Sequence, residues 1–418
     1  MKTNQLKVLL TLSLCLFFTF SGGYPIDGFE HSHIRRLLRL QLILDGKIKE
    51  AKPLPGMLKS INDIQLNLLG QRGDSLATLP APDAQLQKSI NGLFPGLNES
   101  YSVTILDITP GRPIRFAQRQ ENRGYQPGSV GKLAVLTGMF VELAKIYPDS
   151  YEDRATLLCN RIVKAGPWGL TDSHTVPHYN AETKEFKKRP VAASDMFTLF
   201  EWADHMVSVS NNGAASVLWR EVVLMRAFGE KYPHLTQEEA DQYFAETPKK
   251  ELSTLAMEVV NQPLRELNIG EDEWRLGSFF TKGGSGIIPS KGGSIGTTQG
   301  LMKYLVAMER GLIVDQNSSL EIKRLLYQTD RRIRYASSPA LKDAAVYFKS
   351  GSLYKCRPEE GFKCGKYMGN IDNFMNSIAI VEQPNGATYM VCLMSNVLRK
   401  NSNLDHLNIA TSIDRIMK

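Results

Sequence analysis

The chain has 418 residues, of which 42% are hydrophobic, and it carries 50 Lys and Arg against 43 Asp and Glu. These values are typical of an ordinary globular protein that forms one large domain or two smaller ones around a sizeable core. The net charge of +7 is modest and no basic tract gathers it, so composition and charge give no support for a nucleic-acid partner.

The N-terminus has the pattern of a secretory signal peptide. Two lysines precede the apolar run 8–20, and Ser21-Gly22-Gly23 follows it. The run is too short to span a bilayer. Cys15 lies inside the run and follows Leu14, which argues against a lipid attachment site. We predict that residues 1–23 are a signal peptide, that the protein is exported to the periplasm or the extracellular space, and that no stable membrane anchor remains after cleavage.

The segment from residue 24 to about residue 80 is predicted to be a helical extension. Residues 34–44 are helix-forming, and residues 58–69 form a second periodic apolar run. The stretch 78–83 is typical of a linker, since its two prolines prevent a helix from continuing. We expect the extension either to pack on the main domain or to contact a partner, and the sequence leaves the oligomeric state open.

Residues 81–418 are predicted to form the main domain, with its strands near both ends. A short helix at 83–93 and an amphipathic helix at 404–417 begin and end it. The strand candidates are 102–107, 114–118, 344–353, 377–382 and 387–394. Because strands from the two ends must pair, we predict one antiparallel sheet flanked by the first and last helices.

The middle of the chain is predicted to be an inserted all-helical subdomain. Besides a helix that starts at Ser129 and ends before Pro148, apolar periodicity and capping residues indicate four helices. They are 195–207 with Ser194 as cap, 214–228, 237–246 with a Thr236/Glu239 capping box, and 319–327 with a Ser318/Glu321 capping box. The predicted fold class is therefore α/β of the α+β type, with an α/β part at about 81–128 and 330–418 and a helical part at about 129–329.

The cysteines and histidines do not predict a metal or cofactor site. Cys356 and Cys364 bracket a short polar loop, so a local disulfide and a pair of free thiols are both compatible with the sequence. The histidine pairs have ligand-like spacing but lie in loops without a completing carboxylate or cysteine, and we expect them to be solvent-exposed. These pairs are His31 with His33 and His174 with His178.

Three short motifs carry the candidate chemistry. In Ser129-Val-Gly-Lys132, a hydroxyl and an amine share one face of a helix start, which is the arrangement of a nucleophile with an adjacent base. A second match, at Ser352 and Lys355, falls in a predicted strand that would not hold the pair in this way. Ser210-Asn211-Asn212-Gly213 then forms a polar turn between two helices, and Lys349-Ser350-Gly351 ends an apolar strand.

The order and spacing of these motifs resemble those of the penicillin-recognising serine enzymes, the class A β-lactamases and D,D-peptidases, with S-x-x-K, S-D-N and K-T-G. The likeness covers about residue 83 to the end. Asn211 stands in place of the usual Asp, and Ser350 in place of the usual Thr. The resemblance implies Ser129 as the acylated nucleophile, Lys132 as its general base, and Ser210 as the proton relay to the leaving nitrogen.

The resemblance also implies a set of substrate-binding residues. Asn212 would hold the amide on the acyl side of the substrate, and Lys349 with Ser350 would bind its carboxylate. Gly351 would let the substrate backbone lie against the strand. The N–H groups of Ser129 and Ser352 would form the oxyanion hole. No cofactor is implied, and the expected partner is a small molecule or a peptidoglycan-type peptide.

One departure from the family concerns release of the acyl group. Class A β-lactamases use a Glu after the second motif to activate the deacylating water, and here Phe280 is placed at that position, after an insertion at about 229–262. Glu271 or Glu273 could compensate. Three functions remain open: an acyl-enzyme hydrolase for peptidyl-D-alanine, a small ester or a β-lactam; a true β-lactamase with rapid turnover; and a catalytically idle wall-binding or sensor module.

Overall fold

The computed structural model describes residues 27–170, 174–330 and 332–418, so the predicted signal peptide lies outside the described residues. Its centre is a five-stranded antiparallel sheet. The strands are β1 (Ser102–Asp107), β2 (Arg115–Arg119), β3 (Ala345–Lys355), β4 (Asp372–Glu382) and β5 (Thr388–Asn396). They are arranged in the order β2-β1-β5-β4-β3, with β1 paired to β5. The N- and C-terminal parts therefore share one sheet, as predicted.

The two faces of this sheet pack against different helices, because successive side chains of a strand alternate between faces. On one face, Val346 and Phe348 belong to a cluster with Leu86 and Ile90 from the helix Ala84–Asn91 and with residues of the last helix, Asn403–Met417. On the other face, Tyr347 joins the larger core formed with the helical middle. The predicted α+β fold class is confirmed.

The α-helices follow the apolar periodicity of the sequence in most places. The capping box of Thr236 and Glu239 is present, and the helix after Ser129 ends before Pro148. The helices are Gly28–Ser32, Arg35–Leu44, Gln71–Asp74, Ala84–Asn91, Lys132–Ile146, Tyr151–Asn160, Leu199–Val207, Asn212–Phe228, Gln237–Glu246, Lys249–Glu266, Lys282–Ile287, Thr298–Glu309, Gln316–Tyr327 and Asn403–Met417. No helix among the described residues is long and apolar enough to cross a membrane.

The middle of the chain is not all-helical, contrary to the prediction. It contains three two-stranded antiparallel sheets that the sequence analysis did not identify. They pair Ile162–Lys164 with Met196–Thr198, Thr175–Tyr179 with Phe186–Pro190, and Trp274–Arg275 with Ile295–Gly296. Four of these six strands are only two or three residues long, too short for a periodic pattern to reveal them.

Two predicted helix starts were wrong for identifiable reasons. The helix predicted to begin at Asp195 begins at Leu199, because residues 196–198 pair as a strand and Thr198 forms the capping box with Glu201. The later helix begins at Gln316, capped by Asp315 rather than by Ser318. Its Glu321 does not cap the helix but instead binds His31 and Tyr151.

The N-terminal extension is helical only in part. Residues 58–69, predicted as a helix, lack helical structure because their backbone groups bond to the main domain: Leu68 N donates to Glu309 O, and Lys59 N donates to the hydroxyl of Tyr327. Arg36 in the preceding helix forms a buried ion pair with Asp204. The extension therefore packs on the main domain, while the predicted domain limits stay a prediction.

Candidate active site

The nucleophile candidate lies in a tight turn that two glycines allow to pack against β3. Residues Gly128–Gly131 form a 3-10 turn that leads into the helix Lys132–Ile146. Gly128 has φ +55°, and a Cβ there would lie 2.6 Å from the backbone nitrogen of Ser352. A Cβ on Gly351 would lie 2.1 Å from the carbonyl oxygen of Pro127 and 3.1 Å from the nitrogen of Ser129. The glycines thus bring the backbone nitrogens of Ser129 and Ser352 to one place.

Lys132 lies at the centre of the candidate site. Its side chain is fully buried, and its Nζ lies 3.0 Å from Ser129 Oγ. The same nitrogen donates to the carbonyl oxygen of Ser210 at 2.6 Å and to Oδ1 of Asn212 at 2.7 Å. The amine is therefore fixed in direction by two acceptors while it contacts the candidate nucleophile.

Ser210 joins this group to the third motif. It precedes the helix Asn212–Phe228 and has a left-handed backbone, φ +61°, which is unusual for a residue with a side chain. Its Oγ lies 3.4 Å from Lys132 Nζ and 2.7 Å from Lys349 Nζ. The Ser210 hydroxyl thus connects two lysine amines that are 217 residues apart in the sequence.

Strand β3 brings the remaining predicted residues to the same place. Lys349 is on the face of β3 that meets the helical part, two residues after Tyr347 of the larger core. Asn376 on the neighbouring strand donates to the carbonyl oxygens of Gln126 and Pro127 at 2.9 and 3.0 Å, which ties the nucleophile turn to the sheet. The second Ser-x-x-Lys match is not assembled, because Lys355 is exposed at the end of β3.

Seven of the eight sequence-predicted residues line one cleft with two connected parts, and the eighth, Lys132, is fully buried and contacts Ser129 of that lining. The first part contains Lys349 and Ser350 of the third motif. The second part has a volume of about 570 Å³ and contains Asn212 and Phe280. Four residues line both parts: Ser129, His174, Ser352 and Tyr367. Among the described residues that line the cleft there is no Asp or Glu.

The sequence analysis missed several cleft residues, and His174 is one of them. It is not simply solvent-exposed, as we expected, because it is partly buried in the cleft and its Nδ1 lies 3.5 Å from Nδ2 of Asn212. His31 is likewise ion-paired, at 2.8 Å from Glu321. Burial alone would lower the pKa of His31, but the hydrogen bond and the charge of Glu321 raise this pKa.

Arg334 and Tyr367 are also cleft residues that no motif indicated. Arg334 is buried, and it donates to the carbonyl oxygen of Gly351 at 2.5 Å. Its guanidinium lies 5.1 Å from the centre of the Tyr367 ring. Both residues have left-handed backbones, φ +54° and +59°, as does Ser210. Residues held in such conformations concentrate at functional sites.

Phe280 lies beside Lys132, with its ring centre 5.3 Å from the amine nitrogen. Glu271 and Glu273, which could compensate for the glutamate that Phe280 replaces, do not line the described cleft. Glu273 binds Lys303 at 2.6 Å and accepts the backbone N–H of Gly270, and Glu271 is exposed. The side chain beside the Lys132 amine is therefore the apolar ring of Phe280, and neither Glu271 nor Glu273 takes that position.

Comparisons with known proteins identify the family of the chain and structures with a similar fold. The profile of the Beta-lactamase enzyme family matches residues 85–415. Among solved structures, the TLA-3 extended-spectrum beta-lactamase has 14% identity and a TM-score of 0.51, and the match covers 80% of this chain and 99% of that one.

Two further solved structures are similar to the chain. A class A beta-lactamase from Bacteroides cellulosilyticus has 14% identity over 81% of this chain and 98% of its own, with a TM-score of 0.50. A beta-lactamase from Chitinophaga pinensis has 12% identity over 80% and 100%, with a TM-score of 0.50. At these identities the structures show the fold alone. No curated protein matches the chain.

Proposed function

Because the chain belongs to the beta-lactamase enzyme family and is a serine hydrolase of the beta-lactamase and penicillin-binding type, we propose that it is an exported enzyme that cleaves an amide through an ester on Ser129. The substrate is an amide such as peptidyl-D-alanine or a β-lactam. The single observation that carries the proposal is that two lysine amines lie close to the Ser210 hydroxyl. Ser210 Oγ lies 2.7 Å from Lys349 Nζ and 3.4 Å from Lys132 Nζ, and Lys132 Nζ itself lies 3.0 Å from Ser129 Oγ.

Acylation begins with removal of a proton from Ser129 Oγ by Lys132 in its neutral form. The oxygen then attacks the substrate carbonyl carbon. The N–H groups of Ser129 and Ser352 stabilise the oxyanion that develops, and the close approach of Gly128 and Gly351 supports this pairing of donors. The tetrahedral intermediate then collapses and the substrate C–N bond breaks.

The leaving nitrogen must receive a proton when the C–N bond breaks. Ser210 relays this proton, because its hydroxyl contacts Lys132 on one side and Lys349 on the other. Lys349 and Ser350 bind the carboxylate of the substrate through charge-assisted hydrogen bonds. Asn212 orients the amide on the acyl side, since its carboxamide sits at the cleft wall beside Lys132.

A fluorescent penicillin tests the proposal against the two alternatives. Purified protein is mixed with the probe, and the adduct is followed over time by gel fluorescence and mass spectrometry. We expect a covalent adduct on Ser129 that persists. An adduct that forms and disappears within seconds would identify a true β-lactamase. Absence of any adduct would favour an idle binding module and contradict the proposal.

A further inference from the structure

The connection between β3 and β4 is a long hairpin loop, residues 356–371, that contributes to one wall of the cleft. Cys356 and Cys364 form a disulfide bond within it. Asn370 accepts from Arg357 N and donates to Arg357 O, at 2.9 and 3.1 Å. Glu359 forms an ion pair with Arg399 at 2.7 Å. These bonds within the hairpin, and from it to the body of the protein, hold its position.

Three residues of this region line the cleft: Tyr354 at the end of β3, and Lys366 and Tyr367 in the hairpin. All three line the same part of the cleft as Ser129 and Phe280. The rings of Tyr354 and Tyr367 are edge-on, with centres 5.8 Å apart. Lys366 Nζ lies 5.3 Å from the centre of the Tyr367 ring. An ammonium group is thus set on a two-tyrosine surface at the cleft wall.

Lys366 carries the positive charge of this part of the cleft wall. No carboxylate among the described residues forms an ion pair with it, whereas Arg399 beside the same hairpin is paired with Glu359. The described lining of the cleft contains no Asp or Glu either. A cation beside an aromatic surface, with no counter-ion among the residues that the structure describes, favours an anionic ligand.

The direction of the substrate follows from the proposed function, on which this inference rests. With its carboxylate at Lys349 and its reactive carbonyl at Ser129, the substrate must extend its acyl part into the other half of the cleft, past Asn212. That half contains Tyr354, Lys366 and Tyr367. The acyl part therefore passes the ammonium of Lys366.

We propose that Lys366, with Tyr354 and Tyr367, forms an acyl-side subsite for a second anionic group of the substrate. The substrate class is then a peptide or a β-lactam that carries one carboxylate on the leaving-group side and another on the acyl side. The tyrosine rings pack on the apolar part of the acyl chain, and the lysine binds its carboxylate.

Benzylpenicillin and carbenicillin test this subsite, because they differ only by a carboxylate on the acyl side chain. The measured quantity is the ratio of the second-order acylation constants, carbenicillin over benzylpenicillin, in low-salt buffer. We expect Lys366→Ala to lower this ratio about two- to fivefold, the range of an exposed ion pair, and Lys366→Arg to retain it. Raising the ionic strength should lower the ratio for the unmodified protein.

Lys363→Ala is the matched control, because Lys363 is an exposed lysine of the same hairpin that does not line the cleft. It should leave the ratio unchanged, and melting curves should show that every variant is folded. If both penicillins acylate Ser129 and the ratio is the same in Lys366→Ala as in the unmodified protein, the subsite is refuted while the proposed function stands. If neither penicillin forms an adduct with the unmodified protein, the proposed function fails and the subsite fails with it.

Discussion

The aromatic ring of Phe280 lies 5.3 Å from the side-chain nitrogen of Lys132. The sequence resemblance predicts that this residue stands where a class A β-lactamase has the glutamate that activates water. A phenyl ring cannot accept a proton from water. A positioned general base contributes about 10²- to 10⁴-fold in rate, or about 3–5 kcal/mol, so its loss should slow hydrolysis of the ester without slowing its formation.

The acyl-enzyme should therefore accumulate. A chromogenic cephalosporin in excess over the enzyme should give a burst of about one equivalent followed by a slow phase, as expected when deacylation limits turnover. Sustained fast turnover without a burst would contradict this prediction, and Glu271 and Glu273 would then be the first residues to replace. Phe280→Glu alone need not restore turnover, because the water must also be held in line with the ester carbonyl.

Ser129→Ala should abolish acylation and leave the fold intact. The hydroxyl lies in a partly open cleft, and its hydrogen bond with Lys132 is worth about 1 kcal/mol. Adduct mass spectra measure acylation, and thermal melts measure the fold. A penicilloyl adduct on the variant would show that another residue is the nucleophile.

Lys349→Ala should weaken capture of substrates that carry a free carboxylate far more than capture of neutral esters. Only the carboxylate uses the charge of Lys349, and a charge-assisted hydrogen bond contributes about 1.5–3 kcal/mol, or about 10- to 100-fold. Acylation constants for a matched acid and ester measure the difference. Equal losses for both would show that Lys349 acts through its 2.7 Å contact with Ser210 and not by binding the carboxylate.

Gly351→Ala should reduce both acylation and stability. The new Cβ would lie 2.1 Å from the Pro127 carbonyl oxygen, so β3 and the nucleophile turn must separate, at a cost of about 1–3 kcal/mol. Gly286→Ala is the control, because a Cβ there meets nothing within 4 Å. Acylation by Gly351→Ala at the rate of the control would indicate that the oxyanion donors lie elsewhere.

Glu382 should make the stability of the protein depend on pH below neutrality. Burial alone would raise the pKa of Glu382, but the ammonium groups of Lys323 and Lys59 lower it from 4.5 to about 2. Because the folded-state pKa is depressed, the contribution is fully present above about pH 4.5 and is lost as the pH falls towards 2. The shift corresponds to about 3 kcal/mol at most.

Urea unfolding between pH 2 and 7 measures this dependence. Glu382→Gln should be destabilised near neutral pH, since it leaves Lys323 without one of its two carboxylates, and its stability should change less with pH in the acidic range. Glu185→Gln, at an exposed ion pair with Lys187, is the control and should follow the unmodified protein. Parallel pH profiles for Glu382→Gln and the control would contradict the assignment.

The sequence by itself determined the sheet and the motifs. A strand such as 387–394 was predictable because its nearly continuous apolar run suits a strand that is buried on both faces. The three motifs were recognisable because each is a local pattern of residue types. The helix after Ser129 and the Thr236/Glu239 capping box were predictable for the same reason, since capping is a contact between near neighbours.

Only the tertiary structure decided the parts that depend on distant partners. Residues 58–69 have the apolar residues of a helix but lie along the main domain without helical structure, because Glu309 and Tyr327 take their backbone hydrogen bonds. His174, Arg334 and Lys366 enter the cleft from three separate segments, and no local pattern links them to Ser129. The residue types in a short motif determine which side chains can react. Long-range packing determines which other residues surround those side chains, and no short stretch of sequence contains the information about this packing.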